Sequence, residues 1–135
     1  MRIRFMHIRL ALRLALLAAA FVPAAALAHH SFAVFFDAQK SVTITGVVTE
    51  FKFVNPHGVI VLQVKNSEGA MEEWKVETNS PSILRRRGWA PDSLVAGETV
   101  TIEGWPGRND AHYARLRSAK RATGEPIGKP FGTDN

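Results

Sequence analysis

The sequence predicts an all-β domain with one short helix, a five-stranded barrel behind a cleaved N-terminal signal peptide. Three observations carry this. Five stretches show strand periodicity and are separated by Asn, Pro, Gly and Ser clusters. One segment between the third and fourth stretches has helix punctuation at both ends. The first 28 of the 135 residues have the composition of an export signal.

The signal comes first in the chain. Arg2, Arg4, Arg9 and Arg13 form a positive n-region without an acidic residue, and Leu14 to Val22 is an apolar h-region. Pro23 ends it, and Ala26-x-Ala28 supplies the small residues of a cleavage site. The apolar run to Ala28 is 15 residues and contains a proline, shorter than the roughly 20 that span a bilayer. The expectation is cleavage by the Sec route, a periplasmic or secreted product, and no stable membrane anchor after processing. Cleavage after Ala28 makes His29 the new N-terminus; cleavage after Ala26 makes it Leu27.

Removing residues 1–28 changes the charge balance. Four of the 17 basic residues leave and all 12 acidic residues stay, so the formal charge falls from +5 to about +1. The basic pI is a property of the signal, and it gives no support to nucleic-acid binding. The 107 residues that remain suffice for one modest core. No cysteine is present, which excludes disulfides, thiolate metal ligands, cysteine nucleophiles and a lipoprotein anchor.

Residues 29–40 form a leader whose Phe32, Phe35 and Phe36 are too apolar for a free tail, so docking on the body is expected. Residues 41–54 read as a long first strand, with a change of apolar phase at Gly46 that predicts a bend there. Asn55-Pro56-His57-Gly58 is a turn by residue chemistry. Residues 59–65 form a central second strand, and Asn66 to Gly69 the next turn. In the third strand, residues 70–78, Trp74 and Val76 point one way while Glu73, Lys75 and Glu77 form a polar, solvated face. Ser80 and Pro81 open a helix at its N-cap and first position, and Gly88 closes it after Arg85, Arg86 and Arg87. Pro91 to Leu94 suggests one more helical turn. Residues 98–105 and 111–120 make a final hairpin. The tail, residues 123–135, is rich in Pro and Gly and is expected to be loosely held. Three meander strands, a helix and a hairpin over residues 41–122 are the element order of an OB-like barrel.

Several of these motifs also occur together elsewhere. His29-His30-Ser31-Phe32 with Phe36-Asp37, Gly46-Val47-Val48, Asn55-Pro56-His57, Trp74-Lys75-Val76-Glu77, Leu84-x-Arg86-x-Gly88-Trp89 and Gly97-Glu98-x-Val100 follow in order. In that order they resemble an uncharacterised family of small exported bacterial proteins, domain of unknown function 6152. The resemblance implies a periplasmic or secreted OB-like domain, and it brings no catalytic residues with it.

Candidate function rests on the histidines. Imidazole is a favoured ligand for copper, zinc and nickel. An N-terminal histidine adds its α-amine, and a third nitrogen from His57 would complete a planar set that suits Cu(II). His29, His30 and His57 are therefore the expected ligands of a copper ion, with zinc second and Asp37 as a supporting carboxylate. The bland alternative is that the leader histidines are simply exposed and that His57 bonds within its turn. His112 reads as a histidine at the barrel mouth. A second reading is an OB groove for an anionic or sugar-like small ligand, built from Trp89, Trp105, Tyr113 and Arg115. A third is a structural domain with a protein partner in the cell envelope. No enzyme is expected, because no nucleophile elbow, phosphate loop or dinucleotide fingerprint occurs.

Overall fold

The computed structural model describes residues 30–132, with His30 and Ser31 by backbone alone. The barrel belongs to the unit Phe32–Asn135. The expected signal peptide and His29 lie outside the described residues. The strands are β1 Val42–Lys52, β2 Val59–Lys65, β3 Met71–Glu77, β4 Thr99–Pro106 and β5 Tyr113–Arg121. Helix α1, His30–Phe35, precedes them, and α2, Pro81–Arg86, lies between β3 and β4. The strands close into one barrel in the order β1-β2-β3-β5-β4. Every neighbouring pair is antiparallel except β3 and β5, which run parallel. This is the closed, mostly-β arrangement of OB-fold proteins, with a short helix after the third strand. Among the described residues no helix is long and apolar enough to cross a membrane.

Alternation along each strand builds the core. Ile44 and Val48 of β1, Ile60 and Leu62 of β2, Val76 of β3, Val100 and Ile102 of β4, and Ala114 and Leu116 of β5 are buried together. Leu84 of α2 closes one end with Trp89 and Leu94. The first strand bends, but not where its glycine suggested. Register with β2 shifts between Val48 and Glu50, so the extra residue is Thr49, whose hydroxyl donates to the Val61 carbonyl at 3.2 Å. Val47 therefore faces outward, while Phe51 and Phe53 return to the core side. Gly46 serves close approach instead: a Cβ there would stand 2.7 Å from the Gln63 carbonyl oxygen.

Helix α2 ends as its punctuation predicts. Gly88 has φ +85°, and Trp89 N–H donates to the Leu84 carbonyl while Gly88 N–H donates to Arg85. These are the two bonds of a Schellman motif, and they turn Trp89 back into the core. Ser80 holds the N-cap position with extended backbone, but its side chain bonds Ser82 and no helix N–H. Residues 90–97 form turns, not a helix, because Ser93 Oγ accepts from Ala90 N–H at 2.7 Å and closes a tight loop.

The C-terminal segment departs from its composition. Through residue 132 it lies against the barrel, pairing back along β5 through Ile127 N–H to Ala119 O and Phe131 N–H to Arg117 O. Ile127 and Phe131 are each 5% exposed. Two apolar anchors at a spacing of four outweigh the flexibility of the Gly and Pro between them.

Candidate functional site

The site starts at the Asn55–Gly58 turn between β1 and β2, whose Asn55–Pro56 bond is cis. Gly58 lies tight against the end of β3. Thr78 N–H donates to the Gly58 carbonyl at 2.8 Å, and a Cβ on Gly58 would meet Lys52 O at 2.5 Å and Thr78 Oγ1 at 2.6 Å. That packing places His57 over the last residue of β3. The His57 Nδ1 stands 2.8 Å from Glu77 Oε1, and its side chain is 50% exposed.

Register supplies the remaining groups. Lys75 pairs with Tyr113, Val76 with Ala114 and Glu77 with Arg115 across β3 and β5. Val76 and Ala114 face the core, so alternation sends Glu77, Tyr113 and Arg115 to the outer face. There Tyr113 donates its hydroxyl to Glu77 Oε2, and Arg115 Nη1 donates to Glu77 Oε1. Arg115 also donates to Thr78 O at 2.9 Å and to Asn79 Oδ1 at 2.6 Å. Arg115 is buried, as is Asn79, whose Nδ2 has no protein acceptor.

Burial and charge act together here. Burial lifts the Tyr113 phenol well above the ordinary tyrosine range, and the hydrogen bond to Glu77 and its negative charge add to this against the pull of Arg115. Burial lowers Arg115, while Glu77 opposes that shift. The Glu77 carboxylate thus receives three donors on two oxygens, with one guanidinium charge beside it.

The leader docks beside this cluster. Phe36 stacks on Tyr113 with centroids 5.5 Å apart, and Phe32 meets Trp105 edge-on at 5.4 Å. Phe36 bridges Gly107, Asp37 N–H donates to Pro106 O, and Arg108 donates to the Phe35 and Ala33 carbonyls. Phe32 and Phe36 lie four residues apart, one helical turn, so both face the β4–β5 hairpin. Val34 and Phe35 are left outward.

The sequence-expected ligands divide. His57 is fixed by Glu77. His29 lies outside the described residues, as does the side chain of His30, whose backbone begins α1. Asp37 serves its own turn. It accepts from Gln39 N–H at 3.1 Å and faces Lys40 and Arg108, and these partners hold its carboxyl below the usual range, the Gln39 bond foremost. Among the described residues no group of three or more metal-ligating side chains is assembled.

The groove residues also separate. Trp89 is buried at one end of the core, 6.0 Å from Phe51, with Gly128 pressed on its indole. Trp105 is buried with Phe32 and the Arg117 guanidinium over it. Tyr113 lies under Phe36, and Arg115 is buried against Glu77, so the four present no common exposed strip. The His112 ring lies 5.2 Å from Trp74 at a tilt of 56°, and its Nε2 meets Glu72 at 3.1 Å.

Glu77 is the residue that sequence reasoning passed over. Its alternation with Glu73 and Lys75 marked a solvated face, and Glu73 does pair with Lys75 in solvent at 3.4 Å. Glu77 instead is 18% exposed and central. The one local hint was its place at the end of β3, directly before the buried Thr78 and Asn79.

Fold and site together define a small OB-like barrel with a docked N-terminal strap and a carboxylate-anchored histidine at the loop between its first two strands. The chain belongs to the family of unknown function DUF6152, whose sequence model matches residues 16–115. No curated protein matches the sequence. Solved structures align with the chain at low identity. A mitochondrial single-stranded DNA binding protein from S. cerevisiae, Rim1, aligns at TM-score 0.46 and 9% identity, over 67% of this chain and 95% of that one. A ZRD-deleted mutant of TiaS in complex with agmatine aligns at 0.45 and 17%, over 70% of this chain and 25% of that one. A chain of the S. pombe Stn1-ten1 complex aligns at 0.44 and 13%, over 60% and 57%.

Proposed function

We propose that the protein is an exported, periplasmic or secreted binding domain that takes a transition-metal ion, copper before zinc, with His57 as its anchoring ligand. The N-terminal histidines His29 and His30 supply the further nitrogen donors, the first through its amine as well as its ring once the signal is removed. It is a binding protein, not an enzyme, and an envelope protein that receives or delivers the ion is its natural partner.

One observation carries the reading. His57 is held by a carboxylate on Nδ1 while half its ring faces solvent. Metal-binding histidines characteristically donate their second ring nitrogen to such a partner. The β1–β2 loop that carries His57 is also one of the two loops with which OB barrels reach their ligands.

The test is copper and zinc titration of the processed protein purified without chelators, with its intact mass and metal content measured on the same sample. Tight 1:1 Cu(II) binding is expected, weakened at least about tenfold by His57→Ala, given that ligand substitutions act at this scale or above. A processed protein that binds neither ion sinks the proposal. Equal binding by a form extended at the N-terminus removes the terminal amine from the ligand set.

A further inference from the structure

We infer that Glu77 is the positioning residue for His57, holding the imidazole with its proton on Nδ1 so that Nε2 is the atom offered to a ligand. The inference deepens the metal reading above and rests on it for the identity of that ligand.

The argument begins with donor and acceptor chemistry. An ionised carboxylate only accepts, so the 2.8 Å contact between Glu77 Oε1 and His57 Nδ1 requires a proton on Nδ1. A neutral imidazole carries one proton, and Nε2 is then a lone-pair nitrogen. The same carboxylate adds electron density to the ring and strengthens it as a ligand.

Glu77 is placed to orient His57, not to bind metal itself. Oε1 accepts from both His57 and Arg115, and Oε2 accepts from Tyr113. Turning the carboxylate toward an ion would take its charge away from the buried Arg115 guanidinium. Arg115 is pinned in turn, by the Thr78 carbonyl and the Asn79 amide oxygen. The chain of contacts from His57 therefore ends in backbone. A side chain whose own supports are fixed holds its neighbour to the tolerance a ligand site needs.

Two comparisons within the molecule sharpen the assignment. Asp37, the supporting carboxylate expected from sequence, is engaged by Gln39, Lys40 and Arg108. His112 also meets a carboxylate, but through Nε2, and Trp74 lies against its ring. Among the described residues, only at His57 does a carboxylate take Nδ1.

The test combines two readings. Long-range nitrogen–proton NMR on ¹⁵N-histidine protein without metal, at about pH 8 where imidazole is ordinarily neutral, reports the tautomer. Cu(II) titration reports affinity. Wild type is expected to show His57 protonated on Nδ1. Glu77→Leu, which removes the acceptor, and Glu77→Asp, which keeps the charge but withdraws it, are expected to move His57 toward the Nε2-protonated form and to weaken Cu(II) binding about 10–100-fold. The His112 signals should not move. A wild-type His57 protonated on Nε2 overturns the inference, and this is read whether or not the variants fold. Folded variants that bind Cu(II) as tightly as wild type also overturn it. Should wild type bind no copper while His57 is protonated on Nδ1 and the Glu77 variants switch it, positioning by Glu77 stands and the metal reading falls.

Discussion

Phe36 stacks on Tyr113, with ring centroids 5.5 Å apart and an interplanar angle of 26°, and Tyr113 in turn donates its hydroxyl to Glu77. The leader is therefore tied to the same carboxylate that holds His57. Phe36 is 3% exposed. Phe36→Ala should cost about 3 kcal/mol, the low end for a buried phenylalanine because the strap can lift away instead of leaving a cavity. Urea unfolding checks the size. Hydrogen exchange checks the place: the Asp37 and Arg108 amides should speed up while those of β1 and β2 do not.

Tyr113 is the only tyrosine in the sequence, so its ionisation can be followed alone by absorbance. Its phenol binds its proton more tightly in the folded protein than in the unfolded chain, because it is half-buried beside Glu77. A raised folded value means that the stabilisation is complete below the unfolded value of about 10 and is lost as pH rises through the folded one. The native protein should give no phenolate signal near pH 10, the signal should appear on unfolding, and stability should decline above that pH. A native phenolate titration at the ordinary position refutes the buried arrangement.

Arg115 and Glu77 form a pair in which one member is nearly buried and the other partly exposed. Removing Arg115 alone, as Arg115→Met, strands a carboxylate and should destabilise by about 2–4 kcal/mol, somewhat less than a fully buried pair because Glu77 keeps some water. Replacing both, as Arg115→Met with Glu77→Leu, should cost less than the two single changes added together. The double-mutant cycle reads this directly, and strict additivity would contradict the pairing.

Gly58 carries the turn that presents His57. A methyl at this position would sit 2.5 Å from Lys52 O and 2.6 Å from Thr78 Oγ1. One neighbour is backbone and cannot rotate away. Gly58→Ala should lower stability by about 1–3 kcal/mol through overpacking. It should also disturb the His57 ring resonances more than those of His112, which separates a local shift of the turn from general loosening.

Ile127 and Phe131 make the C-terminal segment part of the barrel. Ending the chain after Ala122 removes both side chains and uncovers Trp89, on which Gly128 lies. Each buried side chain of this kind is worth about 1.5–3 kcal/mol, so the shortened protein should lose about 3–6 kcal/mol. Thermal unfolding with intrinsic tryptophan fluorescence reads both the loss and the change around Trp89. An unchanged midpoint would mean that the segment only rests on β5.

Local signals were legible wherever the cause is local. Strand ends fell within a few residues, because Asn55-Pro56, Asn66 to Gly69 and Pro106-Gly107 interrupt pairing by their own chemistry. The α2 terminus was legible because Gly88 alone accepts the φ that the Schellman turn requires. The bend of β1 was misplaced. Gly46 marks a close approach and Thr49 the bulge, and only the β2 register distinguishes the two. The tail was misread because composition reports backbone freedom and is silent on the two anchors that end it.

The candidate site was legible only at its turn. Asn55–Gly58 was recognisable as a stiff loop with a histidine on it. Its partners stand far along the chain from Glu77, 36 residues away at Tyr113 and 38 at Arg115. No spacing rule links them. They meet because barrel closure pairs β3 with β5 in parallel, and that register sets Glu77 beside Arg115. The sequence by itself determined the strands and the helix between the third and fourth, since each follows from periodicity and end chemistry within a few residues. Tertiary structure alone decided where the leader docks and which carboxylate holds His57. Both depend on which strands lie side by side, which local sequence does not encode.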